Sequence, residues 1–213
     1  MALGDSVTVG FGSTPDANRR WPDLLAQRLQ SGAGTSRVAV INAGVVGNRL
    51  LHDFVGTSAL ARLDRDALVQ PGAKYVIVLQ GNADFLIPPL INNPSEIVTV
   101  EQVLQGYRQI IERGHALGLA VYGATLNPVE GYPFPGFWTA DLEQKRQTVN
   151  RWIRSSGAFD AVIDFDQVLR DPAHPTRLLP AYDSGDHVHP NDAGYQAMAD
   201  IINLSLFRGG DQD

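Results

Sequence analysis

The chain of 213 residues contains no cysteine. That absence removes disulfides, thiolate nucleophiles and thiolate metal sites from consideration, and leaves the redox compartment open. Charge is also sparse: Asp, Glu, Lys and Arg make up 19% of the residues, with a formal net charge of −6. Without a long basic run, neither nucleic acid nor an anionic membrane surface is an expected partner, since both need clustered Lys and Arg. No apolar stretch approaches the ~20 residues required to span a bilayer. Only two methionines and 8% aromatics are present, yet 44% of residues are hydrophobic, a globular composition. The length suits one domain, 1–213, with a sizeable core. No export signal precedes the first motif, because Met1-Ala2-Leu3 runs straight into Gly4-Asp5-Ser6. The localisation is therefore open, and a secreted protein whose leader lies outside this sequence is one expectation.

Short apolar, β-branched runs at Val38–Ile41, Tyr75–Leu79, Leu119–Tyr122 and Ala161–Phe165, with a stub at Ala2–Leu3, read as buried strands. Between them, helical periodicity marks Trp21–Leu29, Ser58–Leu68, Val100–Leu117, Ala140–Ile153 and Ala193–Leu206. Pro22 suits a first helical turn, Thr139 an N-cap and Gly118 a C-terminal stop. Alternation of this kind predicts parallel strands covered on both faces, hence an α/β three-layer sandwich. In such sheets ligands bind at the carboxyl ends of the strands, where Ser6, Gly47, Asn82 and Asn127 fall. Two Pro-rich segments, Phe85–Thr99 and Val129–Trp138, read as loops walling that edge. Their Phe85, Phe134, Phe137 and Trp138 are candidates for a substrate pocket, or simply for covering the core.

Ser6 stands at a strand-to-helix junction, where backbone N–H groups favour negative charge. An Asp-Ser pair at that place also reads as a helix cap. Asp186-His187-Val188-His189 carries more information. A neutral Ser needs a base, usually a His oriented by a carboxylate. An Asp three residues before a His in a tight turn reaches Nδ1 and leaves Nε2 for the Ser. His189 has that spacing; His187 adjoins Asp186, and adjacent side chains usually diverge. A metal site built on Asp186, His187 and His189 with Asp183 or Asp192 is the competing reading, but His52, His115 and His174 are isolated and supply no second cluster.

Four short blocks in order resemble the SGNH hydrolases, also called GDSL lipases and acylhydrolases: Gly4-Asp5-Ser6, Asn42-Ala43-Gly44-Val45-Val46-Gly47-Asn48, Gly81-Asn82-Ala83-Asp84 and Asp186-x-x-His189. The resemblance implies a flavodoxin-like sandwich with a parallel five-stranded sheet. It also implies a Ser6–His189–Asp186 triad, an oxyanion hole using the N–H groups of Ser6 and Gly47, and no cofactor. Two positions depart from the pattern. Ala83 stands where the family has the Asn whose amide is the third oxyanion donor, and Val9 replaces a residue that is often Asp. Either Asn82, one position earlier, replaces the missing donor, or the hole relies on the Ser6 and Gly47 N–H groups. The resulting expectation is a serine esterase acting on a small ester of short-chain or aryl type. A carbohydrate O-acetylesterase, or a binding module impaired at Ala83, are the alternatives. The oligomeric state is not legible.

Overall fold

A computed structural model describes residues 1–208. Its centre is a five-stranded sheet of β1 (Ala2–Gly4), β2 (Asn42–Gly44), β3 (Tyr75–Leu79), β4 (Ala120–Ala124) and β5 (Ala161–Ile163). All pairings are parallel and the spatial order is β2-β1-β3-β4-β5. The helices are α1 (Ser6–Val9), α2 (Trp21–Ser31), α3 (Ala59–Leu63), α4 (Asn82–Leu90), α5 (Val100–Ala116), α6 (Ala140–Ser155), α7 (Phe165–Leu169) and α8 (Asp192–Asp200). Helices cover both faces of the sheet, as the strand–helix alternation predicts. The strand order reverses between β1 and β3, so the switch-point crevice opens at the carboxyl end of β1, where Ser6 lies.

The core follows the apolar pattern. Leu3, Val76, Ile77, Val78 and Val121 on the strands meet Trp21, Leu25, Tyr107, Ile110, Val149 and Tyr195 from the helices, all essentially buried. Helix α5 begins with a reciprocal cap between Thr99 and Gln102, and Thr139 caps α6 by accepting from Leu142 N–H.

Five expectations from the sequence need correction. The second strand lies at Asn42–Gly44 rather than Val38–Ile41, because its neighbour β1 starts at Ala2 and pairs Ala2 with Asn42. Residues 38–40 therefore have no ladder to join. Phe85 lies in α4, not in a loop, despite Pro88 and Pro89. Burial of Phe85, Leu86 and Ile87 outweighs the helix-breaking prolines, which fall in the last turn. Phe165 belongs to α7, whose N-cap Asp164 ends the strand run early. The Ser58–Leu68 segment is α3 followed by a π-helical turn at Asp64–Leu68, and the final helical segment breaks after Asp200 before a 3₁₀ turn at Leu204–Phe207.

Candidate active site

Ser6 is the first residue of α1, directly after β1. Asp5 caps this helix by accepting from Val7 N–H at 3.0 Å. The cap fixes the turn that lifts Ser6 out of the strand. Asp5 is itself buried, and that burial pushes its carboxyl up to about 6. The N–H of Ser6, orphaned at the helix start, has no acceptor among the described residues.

From the other end of the chain, the loop before α8 brings His189 to Ser6, with Nε2 at 2.8 Å from Oγ. His189 Nδ1 stands 2.6 Å from Asp186 Oδ2, and the other Asp186 oxygen accepts the N–H groups of Val188 and His189 at 2.9 and 2.8 Å. Burial works to raise the Asp186 carboxyl, but these hydrogen bonds outweigh it and hold the group well below the usual carboxylate range. The loop is braced from outside. Ser184 N–H donates to His189 O at 3.0 Å, Asn191 closes onto Tyr182, and Tyr195 Oη reaches Phe11 O at 2.7 Å. The Phe11 ring, half exposed, lies 4.6 Å from the His189 ring and forms an apolar wall beside the dyad.

The Val45–Leu51 loop approaches from β2. Gly47 has φ +65°, a left-handed conformation that glycine adopts without strain. A side chain there would also press on Val55. Gly47 N–H, like Ser6 N–H, has no acceptor among the described residues. The loop is held by buried polar groups. Asn48 Oδ1 accepts from Arg62 Nε and Nη2 and from Gln80 Nε2, while Arg62 also reaches Ala43 O and Gly4 O. Arg62 thus joins β1, β2 and the loop in one network. No local signal marks it, because it sits in a helix fourteen positions past Asn48.

Asn82 opens α4, and its Nδ2 donates to the Asn127 carbonyl at 3.1 Å and to Asn127 Oδ1 at 3.3 Å. Asn127 in turn donates to Val188 O at 2.9 Å, two positions from Asp186. Both Asn82 contacts lead to the carboxyl end of β4. Phe85 and Trp138 line a small cavity with Asn82, Leu86 and Val129, while Phe137 is buried against Tyr132 at 4.1 Å and Phe134 is exposed. The four aromatic candidates therefore divide between a cavity wall, the loop's own core and solvent. His187 points elsewhere than His189: its Nδ1 pairs with Asp183. Among the described residues no group of three or more His, Cys, Asp or Glu is placed to hold a metal ion. Among them, too, no helix is long and apolar enough to cross a membrane.

Known structures share this fold. The aryl esterase of M. smegmatis superposes with a TM-score of 0.69 at 19% identity, covering 97% of this chain and 94% of that one. A carbohydrate acetylesterase family member from Sinorhizobium meliloti gives 0.70 at 17%, with 97% of each chain covered. A GDSL-like lipase from Bacteroides thetaiotaomicron gives 0.68 at 18%, covering 96% and 85%. At these identities the likeness is one of fold. A search of curated proteins returned no match. The model of the GDSL-like Lipase/Acylhydrolase family matches residues 2–197, and with nearly the whole chain covered, this protein belongs to that family.

Proposed function

We propose that the chain is a serine esterase that hydrolyses small carboxylic esters of short-chain or aryl type through an acyl-enzyme. One observation carries the reading: the continuous Ser6–His189–Asp186 chain, with contacts of 2.8 and 2.6 Å. His189 takes the Ser6 proton as Oγ attacks the ester carbonyl, and the Asp186 carboxylate stabilises the imidazolium. The tetrahedral oxyanion lies against the uncommitted N–H groups of Ser6 and Gly47, supplemented by the positive end of α1. His189 then returns the proton to the alcohol oxygen as the C–O bond breaks. Water, activated by the same imidazole, releases the acid and regenerates Ser6.

The Asn82 amide, engaged by Asn127, speaks for a hole of two backbone donors rather than three. Such a hole is weaker but not empty, and the intact triad geometry favours an active enzyme over a binding module. Phe11 beside His189 favours an apolar acyl or aryl group over a long chain, which would need a deeper channel. Stopped-flow release of p-nitrophenol from p-nitrophenyl acetate tests the proposal. A burst of about one equivalent, or steady turnover lost in Ser6→Ala, supports it; turnover that survives Ser6→Ala refutes it.

A further inference from the structure

The segment 183–190, which carries Asp186 and His189, is hydrogen-bonded mostly to itself and its flanks. Asp186 Oδ1 accepts from Val188 and His189 N–H, Ser184 N–H donates to His189 O, and Asn191 Nδ2 donates to the carbonyls of Ala181 and Asp183. Such bonds fix the shape of the turn but not its place over the sheet. Among the described residues, two hydrogen bonds tie the segment to the carboxyl ends of the strands. One is the reactive contact between His189 and Ser6; the other runs from Asn127 Nδ2 to Val188 O at 2.9 Å. The first changes at every proton transfer, which leaves the second as the standing tie.

Asn127 is itself firmly mounted. It is buried just past the end of β4, and its neighbour Leu126 is held by two side chains of α6. Leu126 N–H donates to Asn150 Oδ1 at 2.7 Å, and Leu126 O accepts from Asn150 Nδ2 at 2.8 Å and from Arg146 Nη1. Chemistry fixes which way the Asn127 amide points. Its Nδ2 faces two carbonyls, Val188 O and, at 3.1 Å, Pro128 O, where an oxygen would be repelled. Its Oδ1 accepts from Asn82 Nδ2 at 3.3 Å. The Val188 carbonyl belongs to the same peptide unit as His189 N–H. That peptide is therefore gripped on both sides, its oxygen by Asn127 and its N–H by Asp186 Oδ1 at 2.8 Å. Rotation of this peptide would swing the imidazole away from Ser6.

We propose that Asn127 is a positioning residue for the general base: it sets the Val188–His189 peptide, and through it the imidazole, against Ser6, while Asn82 holds Asn127 in turn. The inference rests on the esterase reading above. It gives Asn82 a place on the base side of the site instead of in the oxyanion hole. Neither amide touches substrate; both act through His189.

The test measures the rate at which a fluorophosphonate labels Ser6, by intact mass, in the wild type, Asn127→Leu, His189→Ala and the double variant. Leucine is close to asparagine in shape but donates nothing. Small misplacements of a reacting group are costly, so Asn127→Leu is expected to label about tenfold or more slowly than the wild type. Its kcat on p-nitrophenyl acetate is expected to fall by a similar factor, with KM little changed. In the His189→Ala background the same substitution is expected to make no further difference, since no imidazole is left to misplace. Equal slowing in both backgrounds, which a loosened fold would produce, overturns the proposal. So does labelling of Asn127→Leu at the wild-type rate, which leaves the esterase reading standing. Asn127→Ala also lacks the donor, leaves room for water at Val188 O and Asn82 Nδ2, and carries the same cycle should the leucine variant fold poorly. A wild type that neither labels nor hydrolyses the ester removes the esterase reading itself.

Discussion

Asp84 accepts the backbone N–H groups of Leu50 and Leu51, at 2.6 Å and 3.0 Å, with its carboxylate fully buried. This contact ties the start of α4 to the loop that carries Gly47, so two sequence blocks more than thirty residues apart act as one piece of structure. Removing the carboxylate in Asp84→Ala orphans two buried donors, each worth roughly 1–3 kcal/mol. Relief of a buried charge offsets part of that cost. Unfolding by urea should show a lower midpoint, and kcat on p-nitrophenyl acetate should fall by about 10-fold or more, because Gly47 N–H is no longer held to the oxyanion. Full kcat in a destabilised variant would separate the loop from catalysis.

The position of Ala83 makes a second test. With the Asn82 amide taken by Asn127, Ala83→Asn should add a donor and raise kcat by about 10-fold, with little change in KM, since the gain arises in the transition state. Asn82→Ala should lower thermal stability through loss of a buried hydrogen bond while changing kcat by much less than the 10²–10³-fold typical of a lost oxyanion donor. The opposite pattern, a large kcat loss in Asn82→Ala and none gained in Ala83→Asn, would place Asn82 in the hole.

Two buried carboxyls contribute to the pH dependence of stability. Burial raises both Asp5 and Asp84 from 3.8 to about 6. Between about pH 4 and 6 the folded state holds protons that the unfolded chain has released, so stability falls as pH rises through this window. Asp186, held low, acts in the opposite sense: its contribution is present above about pH 4 and disappears on further acidification. Asp5→Asn keeps a capping side chain but removes one of the two raised groups. The difference in urea midpoint between pH 5 and pH 7.5 should therefore shrink in this variant. A difference unaltered by Asp5→Asn would assign the dependence to other groups.

His189→Ala should lower kcat/KM for an aryl ester by at least about 10³-fold, and Asp186→Asn should be severely impaired as well. His187→Ala should cost far less on the same ester, since its ring is turned to Asp183. Exchanged effects of the two His variants would reverse their assignment.

Much of this site was legible because its chemistry is local. Asp186 and His189 are three residues apart in one turn, so spacing anticipates their contact, whereas Ser6 was joined to them by its place at a strand end and by the four-block resemblance. The fold class was legible for a similar reason: β-branched runs such as Tyr75–Leu79 alternate with long amphipathic helices such as Val100–Ala116. What escaped was decided at a distance. The second strand shifts to Asn42–Gly44 because of where β1 begins, and no propensity of Val38–Ile41 records that. Helix α4 forms through Pro88 and Pro89 because its apolar side is buried, a tertiary gain that overrides a local rule. Arg62 carries no motif, and its role appears only when β1 and β2 end side by side; Asn127 was legible as a strand-end residue, but its partners Asn82 and Val188 were not. Phe11 was passed over for the same reason, since its partner His189 is 178 residues away.

The central claim is that Ser6 is the nucleophile, and covalent labelling addresses it most directly. After incubation with a fluorophosphonate, intact mass should increase by one phosphonyl group, and peptide mapping should place the adduct on Ser6. His189→Ala should label far more slowly, because the hydroxyl lacks its base. Stoichiometric labelling at another serine, or equal labelling of wild type and Ser6→Ala, would contradict the account.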